Sequence, residues 1–188
     1  GQGFYKKEGK EILTLDLNTL EYRAAKKAAF GTLELTKTID KPIDRFKVLV
    51  KGKDKAGEFY RKSFSGMFAY VSNRIPEISD ELYKIDDAMK AGFGWENGPF
   101  EIWDAIGVEK GIEIMKAEGL EPAAWVTEML DSGSKSFYSI KEGATYFYNI
   151  PTKAQTKVPG QDAFIILNNI RESKKVWNNS GAIIQDLG

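Results

Sequence analysis

The chain has 188 residues, of which 42% are hydrophobic and 29% charged, a make-up typical of a folded globular domain. Lys plus Arg and Asp plus Glu both total 27, so no basic excess is available to neutralise a nucleic-acid backbone, and no apolar run approaches the ~20 residues of a bilayer span. There is no Cys and no His, which excludes disulfides, thiolate chemistry, the commonest metal ligands and the usual general base near neutral pH. In chain order, residues 1–20 read as extended structure, with a turn at Lys6 to Lys10 and partial alternation through Ile12, Leu13, Leu15 and Leu17. The polar start GQGFYKKEGKE does not read as a signal peptide, and a cytoplasmic location is expected. Residues 20–36 suit either a helix or a connector.

Helices are expected through the middle. Asp40 is a candidate cap for a helix with Pro42 in its first turn, buried positions Ile43, Phe46 and Val50, and Gly52 as its end. Phe64, Met67, Phe68, Val71 and Ile75 make one apolar stripe, which Pro76 should kink or end. Ser79 is a candidate cap for the next helix, with Leu82, Ile85 and Met89 buried and Gly92 at its stop. Asn97 or Gly98 can cap a short helix starting at Pro99, whose Phe100, Trp103 and Ile106 share a face and which Gly107 ends. Val108, Ile112 and Met115 mark another helix closed by Gly119, and Pro122 opens one through Leu130.

Beyond Ser134 the composition turns strand-like, with Glu142-Gly143 at a turn. AFIIL (Ala163 to Leu167) suits a buried strand or helix, and the closing GAIIQDLG reads as a strand. Phe4-Tyr5 followed by Glu8-Gly9 echoes Phe137-Tyr138 followed by Glu142-Gly143, which raises the question of an internal repeat.

The segment GFGWENGPFEIWDAIG (Gly92 to Gly107) has the glycines, aromatics and acids of an active-site loop. Its Gly92-x-Gly94-x-x-x-Gly98 pattern resembles a dinucleotide fingerprint, but that device needs a strand leading into the glycines. A helix leads in here, and Trp95 and Glu96 would crowd the phosphates. The spacing favours a capped helical corner, with Glu101 near the positive end of the helix dipole, over a catalytic pairing of Glu96, Glu101 and Asp104. Within the apolar helix, Asn73 needs hydrogen-bond partners, and Arg74 is placed to pair with Asp86, Asp87 or Asp104. Lys51, Lys53, Lys55, Arg61 and Lys62 form a basic cluster that reads either as a solvated face or as a phosphate contact.

The stretch from Tyr70 to Glu109, YVSNRIPEISDELYKIDDAMKAGFGWENGPFEIWDAIGVE, closely resembles the C-terminal helical domain of 3-hydroxyacyl-CoA dehydrogenases. The resemblance rests on the Asn-Arg pair, an I-D-x-A-M helix, the glycine corner, G-P-F-E and D-x-x-G. The opening GQGFYKK resembles the tail of the first helical domain of these enzymes, and the closing NNSGAIIQDLG resembles the first strand of an enoyl-CoA hydratase (crotonase) domain. The resemblance implies a mainly α domain with peripheral strands at both ends, divided as 1–20 tail of a preceding helical domain, 21–38 connector, 39–135 helical domain, 136–178 strand-rich extension and 179–188 start of a crotonase-like domain.

It also implies a parent multifunctional enzyme of fatty-acid β-oxidation that uses NAD on a separate Rossmann domain, with this module non-catalytic, binding no cofactor or metal, and packing on the first helical domain. Asn73 matches the family Asn beside the acyl-CoA substrate; in a second copy it would instead join helices. Arg74, Gly92, Gly94, Trp95, Gly98, Pro99, Phe100, Glu101, Trp103, Asp104 and Gly107 carry the structural motif. The alternative expectation is a CoA-binding module using Lys51, Lys53 and Lys55 and the Trp95/Trp103 corner.

Overall fold

The computed structural model describes residues 3–188; Gly1 and Gln2 of the opening motif lie outside the described residues. Three strands come first, β1 (Tyr5–Glu8), β2 (Glu11–Leu15) and β3 (Tyr22–Ala24), forming an antiparallel meander. Seven helices follow among the described residues: α1 (Gly31–Thr36), α2 (Pro42–Leu49), α3 (Lys55–Asn73), α4 (Leu82–Phe93), α5 (Pro99–Ile106), α6 (Val108–Ala117) and α7 (Ala124–Asp131). A second meander, β4 (Tyr138–Lys141), β5 (Ala144–Asn149) and β6 (Ala154–Lys157), then packs on the helices, and β7 (Lys175–Asn178) with β8 (Ile183–Gln185) makes a hairpin near the end. The fold is the expected helical domain with small peripheral sheets at both ends.

The core forms because the apolar stripes converge on α5. Phe64 and Phe68 of α3 face inward, and Phe68 stacks on Trp103 at 4.7 Å between ring centroids. Trp103 in turn meets Phe137 edge-on at 5.0 Å, and Phe137 also touches Phe100 and Trp125. This run of rings joins α3, α5, α7 and the start of the second meander into one aromatic core, whose offset and edge contacts add to simple area burial.

Several boundaries differ from the sequence expectation. Lys41, not Asp40, sits at the α2 N-terminus, and no side chain caps it; Pro42 at the first position has no N–H to satisfy there. That helix stops at Leu49, so Gly52 does not end it. Ser79 makes a turn with Glu81, its hydroxyl accepting the Glu81 amide, and the helix begins only after Glu81. At the other end α4 continues past Gly92 to Phe93 because Gly94 adopts the left-handed conformation, φ 66°, that ends a helix at least cost. Ala163 to Leu167 is neither strand nor helix: a 3-10 turn ends at Ala163, and Phe164, Ile165 and Leu167 lie exposed in irregular chain.

The ambiguous segment 20–36 holds both β3 and the short α1, whose Thr32 amide is bound by Asp54 at 2.9 Å from the start of α3.

Candidate functional site

The glycine–proline corner is built around two buried carboxylates. Asp86 shares the inward face of α4 with Leu82 and is fully buried. Its Oδ1 accepts the Phe100 amide at 2.9 Å, and its Oδ2 accepts the Glu101 amide at 3.0 Å and the Tyr138 hydroxyl at 2.9 Å. Asp86 therefore caps α5 from a neighbouring helix, doing the work that a side chain at Gly98 would do locally. The approach requires glycine at 98, since a Cβ there would lie 2.3 Å from the Asp86 Cβ. Glu101 supplies the reciprocal half of a capping box, Oε2 accepting the Gly98 amide at 2.8 Å, and its Oε1 pairs with Lys90 at 2.8 Å.

Asp104, one turn further along α5, receives the amides of Phe137 and Tyr138, both at 2.8 Å. The two aspartates thus tie α4, α5 and the second meander together. Burial pushes each carboxyl up to about 7, against the pull of the amide donors. Neither faces a cavity with a free acceptor, and Glu96 lies exposed and apart, so Glu96, Glu101 and Asp104 form no acid–base pair.

The other singled-out residues are placed less as expected. Arg74 pairs with Glu77 of its own turn at 2.5 Å, not with Asp86, Asp87 or Asp104, because those acids lie across the corner and two are filled by other donors. Its Nε is buried without a partner. Asn73 is exposed and donates to the Ala69 carbonyl of its own helix at 2.8 Å, so it joins no helices. The node is its neighbour, Ser72, fully buried: its hydroxyl accepts the Ala123 amide at 3.1 Å, and its carbonyl accepts the Trp125 indole N–H at 3.0 Å.

Lys51, Lys53 and Lys55 are exposed, but the cluster around them is divided, since Arg61 binds the Val50 and Gly52 carbonyls and Lys62 pairs with Glu58. Trp103 is fully buried with its indole N–H on the Val108 carbonyl at 3.1 Å, while Trp95 is at the surface. The two tryptophans therefore form no shared surface for a CoA adenine or pantetheine.

The glycines at 92, 94 and 98 follow helix α4 and open onto no strand, and the amides of Gly98, Phe100 and Glu101 are already occupied by carboxylates. That arrangement does not fit a dinucleotide pyrophosphate. Among the described residues, no group of three or more acids is placed to hold a metal ion, and no helix is long and apolar enough to cross a membrane.

What the surface does offer is an apolar groove of 520 Å³ between α3 and α4, lined by Met67, Tyr70, Ile85, Met89 and Trp95, with Arg74 and Lys84 at its edge. Nothing in the sequence reading singled it out, although the signal was there: Met67 and Tyr70 lie on α3 among uncharged neighbours.

Residues 77–146 match the family model of the 3-hydroxyacyl-CoA dehydrogenase C-terminal domain. A protein named as a 3-hydroxyacyl-CoA dehydrogenase in Bacillus subtilis is 41% identical over 189 aligned positions, covering all of this chain and 24% of that protein. A protein of Rickettsia felis named as a fatty acid oxidation complex trifunctional enzyme is 27% identical over 104 positions, which is 53% of this chain and 13% of that one. Its counterpart in Rickettsia prowazekii is 26% identical over 113 positions, 58% of this chain and 14% of the relative. The chain thus spans about a quarter or less of the length of these relatives, and no solved structure matches it. Residues 77–146, with the corner that Asp86 and Asp104 organise, are a C-terminal domain of the 3-hydroxyacyl-CoA dehydrogenase kind.

Proposed function

We propose that the chain is a non-catalytic helical module of a multifunctional, NAD-dependent 3-hydroxyacyl-CoA dehydrogenase of fatty-acid β-oxidation, the second of two like helical units in its parent. The supporting observation is a repeat. β1–β2–β3 and β4–β5–β6 have the same strand order and the same pairing register, every residue of the first lying 133 positions before its counterpart: Tyr5 and Tyr138, Thr14 and Phe147, Arg23 and Thr156. Even the bond that closes each meander recurs, Leu15 amide to Phe4 carbonyl at 2.9 Å and Tyr148 amide to Phe137 carbonyl at 2.7 Å.

The two copies differ in what they seal. Phe137 is 0% exposed in the aromatic core, whereas its counterpart Phe4 is 68% exposed. The first meander is thus built like the closing strands of a helical unit and lacks that unit's helices, which supports reading it as the tail of a preceding copy. The module's chemistry agrees, since its buried carboxylates are occupied by structural donors. In this reading the parent's NAD and acyl-CoA are handled by the Rossmann domain and first helical unit, the protein is cytoplasmic, and β8 leads toward an enoyl-CoA hydratase domain.

The test is direct. The purified chain, given NADH and acetoacetyl-CoA, is expected to oxidise NADH at the rate of buffer alone. Turnover well above that background would overturn the non-catalytic assignment.

A further inference from the structure

Helix α3 carries no charge from Ser63 to Asn73, SFSGMFAYVSN, eleven residues or three turns. Phe64, Ser65, Phe68, Val71 and Ser72 face the core. The opposite face, Ser63, Gly66, Tyr70 and Asn73, is open to solvent, where a helix ordinarily shows Lys and Glu. A helix that is uncharged on both faces is one whose outer face is also covered.

Across the groove α4 continues the same surface with exposed Ala88, Ala91, Gly92 and Phe93, and Trp95 and Ile78 close its ends. Tyr70 is 62%, Ile78 65% and Phe93 74% exposed, an apolar patch with the aromatic and Met content of an interface centre.

The edge of this patch indicates what covers it. Its charges are already paired in place: Lys62 with Glu58, Arg74 with Glu77, Lys84 with Glu81 and Lys90 with Glu101. A rim of locally neutralised pairs offers little to a strongly acidic or basic partner, but it can face a copy of itself without like-charge conflict. The centre is self-complementary in shape as well. Gly66 and Tyr70 lie one turn apart, and a Cβ at 66 would meet nothing within 4 Å, so the surface has a hollow beside a large ring. If two α3 helices cross antiparallel about a two-fold axis at Phe68, each Tyr70 falls over the other's Gly66, and each Ser63 opposite the other's Asn73. That is the isologous pairing a two-fold interface demands.

We propose that the α3–α4 face docks on the same face of a second helical unit of this kind, with Tyr70 of each seated at Gly66 of the other. The inference rests on the reading of two like units above and names the face through which they meet; for the chain by itself the partner is a second copy.

Sedimentation equilibrium from micromolar to submillimolar chain, with thermal melts alongside, tests it. A reversible dimer is expected. Gly66→Glu, which places a carboxylate at the contact and meets no atom of its own fold, should weaken that dimer about a hundredfold or more while leaving the melting temperature no lower. Mixing Gly66→Glu with Tyr70→Lys chains should restore association as a heterodimer, because the two positions face each other across the axis. A wild-type chain that stays monomeric throughout overturns the proposal, and so does a dimer indifferent to Gly66→Glu. Either failure leaves the NADH assay untouched, so the loss of this face is distinguishable from the loss of the functional reading.

Discussion

Asp86 shows how one side chain can hold a family motif together and yet look like a surface acid in the sequence. The apolar stripe Leu82, Ile85 and Met89 was readable from spacing, but Asp86 lies four positions after Leu82, on the same inward face. A binary pattern assigns an acid to solvent, and only the tertiary approach of α5 explains its burial. The requirement for glycine at 98 was equally hidden, since glycine there looked like a cap and serves as clearance.

Burial raises Asp86 and Asp104 from the usual 3.8 to about 7. The native state then holds protons, between about pH 4 and pH 7, that the unfolded chain has released. Stability must fall as pH rises through that window and level off above it. Asp54, Glu58 and Glu172 are shifted the other way by their hydrogen bonds and act at the acid end, where stability falls as they protonate. Urea midpoints should therefore peak in mild acid. Asp86→Asn, which keeps one acceptor but loses the titrating charge, should cost about 1–3 kcal/mol at pH 5 and flatten the decline toward pH 7. An unchanged slope would show that Asp86 does not titrate in that range.

At the scale of elements, the central helices were legible because their stripes run over several turns, and their ends were less so because chemistry local to a terminus is weaker than packing. Gly92 and Gly94 both offered a stop for α4, and the chain took the one that lets Phe93 complete the helix. The polar intrusion in α3 was noticed, but its role was placed one residue late. Asn73 looked like the group in need of partners, while the small Ser72 holds α7, reaching both the Ala123 amide and, through its carbonyl, Trp125. Removing the hydroxyl in Ser72→Ala leaves the Ala123 amide unpaired at a half-buried contact, with an expected cost of about 1–2 kcal/mol. Hydrogen exchange should quicken in α7 with α4 and α5 unaffected; uniform loosening of all three would contradict this division.

For the molecule as a whole, the sequence hinted at a repeat through two short echoes, and the backbone extends them to three strands in one register. Strand pairing is invisible in a sequence whose paired residues are different, as Thr14 and Phe147 are. The second meander is anchored to the helices by Asp86, Asp104 and an ion pair between Lys153 and Glu128. Among the described residues, no hydrogen bond or ion pair joins the first meander to any helix; those its residues make, such as Asp16 with Arg23 and Tyr22 with Gly3, stay within the segment before α1. Three strands without a covering helix sit at the low end of the stability scale.

The most direct measurement of the two-unit account is therefore amide hydrogen exchange on this chain under native conditions, comparing the equivalent strands. The account predicts that amides of β1–β3 exchange at least about a hundredfold faster than those of β4–β6, with the Phe137 and Tyr138 amides on Asp104 among the slowest. Equal protection of Leu15 and Tyr148, the residues that close the two meanders, would mean that the first is an integral part of this unit and would contradict the reading of it as another unit's tail.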